Sequence, residues 1–209
     1  MALSDENGNA VTLASLRGKT VVLSPSLTLC QEICPLISAN FGVADRDTRS
    51  AGLTSSIEFV EVTVDPQRDD QAHLKAYQGL YGAQPNWEFL GGSSAQIASF
   101  WNAFHLSYGR VAEDPGPRPH DWLTGAPLTY DVDHENVVYV IRPNGHIAWL
   151  VDATPWVNGA QIPLKLEKFL SDTGHHNQTI VASTSWDVPD VLQAIRYVTG
   201  KTISPNGAG

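Results

Sequence analysis

The sequence predicts a single mixed α/β domain, and three observations carry that prediction. A strand, helix, strand rhythm occurs twice in the first half of the chain. A proline-led turn at Pro143-Asn144-Gly145 joins two further strands into a hairpin. The 209 residues, 42% hydrophobic and 17% charged, supply one full core. Hairpin strands run antiparallel whereas crossover helices join parallel ones, so the sheet is mixed.

The elements follow in order. Asn7-Gly8 supplies the positive φ angles of a tight turn between Ala2-Leu3-Ser4 and Ala10-Val11-Thr12-Leu13, giving an N-terminal hairpin. Thr20-Val21-Val22-Leu23 is a short apolar strand, and residues 57–64 alternate as a second, ending at Asp65-Pro66. Residues 35–51 between them are helical, with Pro35 at the first position, where its missing N–H costs nothing. Helical spacing of Ala72, Leu74, Ala76, Tyr77 and Leu80 marks residues 69–81. Trp87 to Leu90 is a strand closed by Gly91-Gly92, and Ser93 or Ser94 caps a helix reaching about Phe104. Residues 137–142 and 146–151 form the late hairpin, 164–170 a short helix and 187–198 the final helix. The domain is expected to span 1–199. Two additions interrupt it, a Pro- and Gly-rich loop at 112–127 and a C-terminal elaboration at 152–186, and a disordered tail covers 200–209.

A formal net charge of −9, from 13 Lys and Arg against 22 Asp and Glu, argues against broad nucleic-acid binding, which needs clustered cations to displace counterions. No run of eighteen apolar residues occurs, and Met1 to Asn9 lack the basic start and apolar stretch of a signal peptide. The sequence therefore reads as soluble.

Cys30 and Cys34 are the only cysteines, four apart in a segment that follows a strand and opens a helix at Pro35. That layout suits a redox or soft-metal site, although unpaired cysteines also serve as small buried hydrophobes. Pro35 biases Cys34 away from the α region and toward the N-cap, where the helix dipole is expected to favour its thiolate. Cys30 is near enough for a disulfide or a shared metal ion, and spacing does not separate the two. Three residues intervene, against two in a thioredoxin-type pair. His134, at the end of Tyr130-Asp131-Val132-Asp133-His134, stands where a loop meets a strand. Two thiolates and an imidazole form a soft set suited to copper, Cu(I) above all, and acceptable to zinc. A zinc site would lack an identified fourth ligand.

Several segments occur together in a familiar order: Leu16-Arg17-Gly18-Lys19, Thr28-Leu29-Cys30-Gln31-Glu32-Ile33-Cys34-Pro35, Val64-Asp65-Pro66-Gln67-Arg68-Asp69, Trp87-Glu88-Phe89-Leu90-Gly91-Gly92, the stretch ending at His134, and Arg142-Pro143-Asn144-Gly145. Across about residues 1–151 and a C-terminal helix, the chain resembles the Sco proteins, or SenC family, thioredoxin-like copper proteins of cytochrome c oxidase assembly. The lead Ser24-Pro25-Ser26-Leu27 departs from the family's aromatic-containing one. The resemblance implies a thioredoxin-like fold, copper held by Cys30, Cys34 and His134, and Asp65 near the site, although an Asp-Pro at a strand end also reads as a turn. It implies a metallochaperone for the binuclear copper site of the oxidase, in an extracytoplasmic location and usually on a membrane anchor that this chain does not contain. Its partners would be the oxidase's copper-site subunit and other copper chaperones or thiol reductants. His120, His146, His175 and His176 have no family role, and His175-His176 reads as a solvated loop feature. Met1 is the one methionine, which excludes a methionine-rich copper channel. The alternative function is a thiol–disulfide oxidoreductase or thiol peroxidase on the same cysteine pair, with Cys34 as the activated thiol.

Overall fold

The computed structural model describes residues 1–113, 116, 118–181 and 184–204. A short hairpin of β1 (Leu3–Ser4) and β2 (Ala10–Val11) leads into β3 (Thr20–Ser26), α1 (Cys34–Ser50), β4 (Ile57–Thr63), α2 (Gln71–Leu80), β5 (Trp87–Leu90) and α3 (Ser94–Asn102). A two-stranded ribbon of β6 (Tyr108–Val111) and β7 (Asp131–His134) precedes the late hairpin of β8 (Val137–Ile141) and β9 (Ile147–Asp152). Helices α4 (Leu164–Glu167), α5 (Asp172–Thr179) and α6 (Val188–Thr199) complete the chain. The main sheet has the order β5-β4-β3-β8-β9, with β3, β4 and β5 parallel and β8 and β9 antiparallel, which is the mixed sheet expected.

Side chains on a strand alternate between faces, and on β3, β4, β5 and β8 both faces are covered, while the edge strand β9 stays partly exposed. Val22, Phe59, Val138 and Val140 pack with α1 and α6 through Leu36, Phe41, Val191 and Ile195. Their neighbours Val21, Leu23, Val60, Val62 and Tyr139 pack with α3 through Ile97, Phe100 and Trp101, and with both cysteines. Near-continuous apolar strands are what a sheet buried on both sides requires.

Besides forming the β6–β7 ribbon, which no sequence expectation covers, the chain departs from those expectations at four places. Strand β3 runs on through Pro25. Thr20 donates to Ser56 O and Val64 to Ser26 O, which turns the even-numbered amides of β3 toward β4. The missing donor of Pro25 therefore faces the other side, where pairing with β8 has ended at Leu23. Cys34 is the first residue of α1 and Ile33 its N-cap, one residue earlier than Pro35 suggested. His175 and His176 lie on α5, a helix capped by Ser171, and not in a loop. The tail is packed as far as Ile203: Gly200 turns the chain at φ 66, and Ile203 is fully buried with its carbonyl accepting from Arg196. Residues 205–209 lie outside the described residues.

Burial pushes the carboxyls of Glu61 and Glu88 up to about 7 and that of Asp69 up to about 6. Between about pH 4 and 7 the folded chain thus holds protons that the unfolded chain has released, so stability must fall as pH rises through that window. Against its own burial, Asp121 is held down to about 2 by the Thr124 hydroxyl and His73, but that contribution is lost only below about pH 4. Urea unfolding is expected to give a free energy a few kcal/mol lower, on the order of one to three, at pH 7.5 than at pH 5. Equal stability at both values would remove these groups from the balance.

Candidate metal centre

The site is built where regular pairing stops. Beyond Ser26 the chain leaves the sheet, and Thr28 is caught by Asp69, whose buried carboxylate accepts from the Thr28 amide (3.1 Å), the Thr28 hydroxyl (2.6 Å) and the Thr63 hydroxyl (2.5 Å). Residues 29–33 then turn into α1, which places Cys30 in the loop and Cys34 on the first turn. His134 arrives on β7 from 100 residues beyond Cys34, paired with Tyr108 of β6. The donor atoms of Cys30, Cys34 and His134 all lie within 4.8 Å of one another. His134 Nε2 is 3.4 Å from Cys34 Sγ, and its Nδ1 is 2.9 Å from the Glu135 carbonyl. Donation from Nδ1 to that carbonyl leaves the Nε2 lone pair toward the sulfurs, the tautomer a metal ligand needs.

The electrostatics reverse the expected roles of the two thiols. Cys30 Sγ receives the backbone N–H groups of Glu32, Ile33 and Cys34 at 3.5, 3.4 and 3.3 Å. Donation from the Cys34 thiol outweighs burial and, with His134 and the Cys34 N–H, holds Cys30 well below the usual thiol range. Burial, reinforced by Cys30, pushes Cys34 well above it. The helix N-terminus thus serves Cys30, because the N-cap falls on Ile33 and the open amides of the first turn point back at the loop. Burial opposes a charge on His134, but the Cys30 sulfur beside it holds its pKa above the ordinary value.

Cys30 and His134 open onto a cleft of about 590 Å³, lined also by Glu32, Glu113, Asp131, Asp133 and Asp172, while Cys34 is wholly buried. No Lys or Arg is among its described lining residues. Burial, aided by the charges of Cys30 and Glu113, brings the Asp131 carboxyl up to about 6. A cation is therefore drawn toward the sulfurs and an anion repelled.

A family model for SCO1/SenC matches residues 2–171 of the chain. The chain belongs to the SCO1/SenC family. The human protein SCO2 homolog, mitochondrial, is 28% identical over 143 residues, which cover 68% of this chain and 49% of that protein. The chain spans about half the length of the mammalian relatives it matches. Arabidopsis thaliana ScoI with copper bound superposes with a TM-score of 0.60 at 24% identity, covering 73% of this chain and 85% of that one. The structure of BsSco, described as a member of the Sco family of cytochrome c oxidase assembly proteins with a disulfide switch, gives 0.54 at 21%, covering 87% and 92%. At these identities the likeness carries the thioredoxin-like fold alone.

Asp65 stands apart from the Cys-Cys-His group of this SCO1/SenC member. It pairs with Arg68 and accepts from the Tyr130 hydroxyl at 3.0 Å, while Arg68 donates to the Tyr130 carbonyl at 2.6 Å. The Arg68 and Arg110 guanidinium groups lie 3.9 and 4.0 Å from the centre of the Tyr130 ring. Asp65 thus fixes Tyr130, the residue that leads into β7, the strand that carries His134. Sequence reasoning missed Asp69 as the anchor of Thr28; its one signal was its place four residues after Asp65. It also missed Trp122, whose indole N–H donates to the Thr28 carbonyl at 2.6 Å from within the 112–127 loop.

Proposed function

We propose that the chain binds one copper ion through Cys30, Cys34 and His134, and serves as a metallochaperone for the binuclear copper site of cytochrome c oxidase. The observation that carries this reading is the donor set, two sulfurs and an imidazole nitrogen within 4.8 Å of one another. Thiolate with imidazole suits copper, and three ligands leave an approach open for exchange with a partner's ligands. Among the described residues three donors belong to the group, fewer than the four of a closed structural zinc site. The relatives support the cargo and the target: one is described with copper bound and another by its family's part in oxidase assembly.

The partner in this reading is the copper-site subunit of the oxidase, with other copper chaperones or thiol reductants supplying metal or electrons. The location in this reading is extracytoplasmic and membrane-associated; no helix among the described residues is long and apolar enough to cross a membrane. A second reading, thiol–disulfide exchange, is favoured by the three backbone N–H groups that converge on Cys30 Sγ, with Cys30 shifted below and Cys34 above the usual thiol range. Cys30 is the attacking sulfur in it, the reverse of the order expected from the sequence.

Mixing the copper-loaded chain with the reduced, metal-free copper-site domain of an oxidase separates the two. Transfer predicts that two copper ions leave two copies of this chain for each partner centre filled, read as metal in the separated partner, and that the visible spectrum of a mixed-valence binuclear centre develops there once the filled partner is oxidised by one electron. Retention of copper here, together with reduction of an oxidised partner by the metal-free chain, would favour exchange and overturn delivery.

A further inference from the structure

Both segments that interrupt the core meet the cysteine loop, and they meet it at a carbonyl on either side of Cys30, those of Thr28 and Gln31. From the 112–127 loop, Trp122 donates its indole N–H to Thr28 O at 2.6 Å. That loop is itself fastened to α2: His73, whose Nδ1 lies 2.8 Å from Asp70, places Nε2 3.0 Å from Asp121, the neighbour of Trp122. From the 152–186 segment, the Ser171 amide donates to Gln31 O at 2.9 Å. The first turn of α5 then lies so close that a Cβ on Gly174 would stand 2.1 Å from the same oxygen. Only glycine leaves room for that backbone approach.

The loop needs such holding, because sheet pairing ends at Ser26 and α1 begins at Cys34. Gln31 directly precedes the three amides that converge on Cys30 Sγ, so the placing of its carbonyl fixes where those amides point. Hydrogen bonds to a thiolate are stronger than those to a neutral disulfide sulfur. A loop held with its amides on Cys30 therefore stabilises the reduced pair, and stabilising the reduced form makes a dithiol couple more oxidising.

We propose that Trp122 and Gly174 are positioning residues that clamp the Cys30 loop in its dithiol form, the form that holds metal, against closure to the Cys30–Cys34 disulfide. The reference to metal rests on the proposed copper function; the clamp itself is defined on the thiols alone. The reaction it biases is that of the dithiol with glutathione disulfide. One S–S bond forms between Cys30 and Cys34 and one breaks in glutathione disulfide. The two electrons and the Cys34 proton leave the chain and, with one proton from solvent to balance the Cys30 thiolate, end on two glutathione thiols.

The test equilibrates the metal-free chain in glutathione buffers and counts unreacted thiols by alkylation and mass. Trp122→Phe, which keeps a ring and deletes the N–H, and Gly174→Ala, which forces α5 off Gln31, are each expected to become half-oxidised at about tenfold lower oxidising ratio, a shift of about 30 mV. His175→Ala, exposed on the same helix, is expected to overlay the wild type. Variants that melt earlier yet titrate with the wild type would reduce both residues to ordinary packing and overturn the clamp. If Gly174→Ala does not fold, Trp122→Phe decides alone. Cu(I) competition on the wild type keeps the two readings apart: no copper uptake with shifted variants removes the copper function and leaves the clamp. Copper uptake with unshifted variants does the opposite.

Discussion

Replacing His134 with Ala is expected to weaken Cu(I) binding by roughly 10²- to 10⁴-fold without unfolding the protein. The estimate follows from dividing a thiolate-site binding energy, on the order of 10–16 kcal/mol in structural zinc peptides, among three ligands, which leaves about 3–5 kcal/mol for each. The fold tolerates the change because β7 is held to β6 by its backbone and buries Val132, while the His134 ring is only half-buried. Cys34→Ser should lose at least as much, since its thiol is wholly buried and a hydroxyl is a poor ligand for a soft ion. Asp65→Asn, which acts only through Tyr130, should lose no more than about 10- to 100-fold. Competition against a chromogenic chelator under anaerobic conditions measures all three. A His134→Ala protein within threefold of the wild type would remove the imidazole from the site.

Asp69→Ala is expected to have the largest effect on stability, a loss of about 3 kcal/mol and a fall in Tm of roughly 6–12 °C. Three donors, the Thr28 amide and the hydroxyls of Thr28 and Thr63, converge on a carboxylate that is nearly inaccessible to water. Truncation strands them in the interior, where an unsatisfied buried polar group costs about 1–3 kcal/mol, partly relieved as the hydroxyls rotate. Asp69→Asn keeps an acceptor oxygen and removes a carboxyl that burial holds up to about 6. It should cost less than Asp69→Ala and flatten the decline of stability with pH. Thermal melts of the two variants at pH 5 and 7.5 check both statements, and equal melting of Asp69→Ala and wild type would dismiss the anchor.

The elements that could be read from the sequence are those whose pattern is set by burial. Strands β3, β4, β5 and β8 are buried at nearly every position, and α3 and α6 begin at capping boxes on Ser93 and Asp187, so periodicity and caps announce them. The β6–β7 ribbon carries no such signal: its eight residues bury one side chain, Val132, and the strands exist through their mutual pairing. Helix α5 is polar throughout with a glycine in its first turn, which reads as loop until Gln31 gives that glycine a reason. The thiol assignments failed by one residue. With the N-cap at Ile33 and not at Cys34, the open amides of α1 serve the sulfur behind them. The cysteine motif and His134 were legible because residue type and order carry that chemistry. Thr28, Asp69 and Trp122, which hold the motif, meet only through tertiary contacts.

X-ray absorption at the copper edge of the reduced, singly loaded chain tests the central claim most directly. Two sulfur donors and one nitrogen donor, with the nitrogen lost in His134→Ala, are the predicted result. A two-coordinate site of sulfur alone, or a spectrum unchanged by His134→Ala, would contradict it.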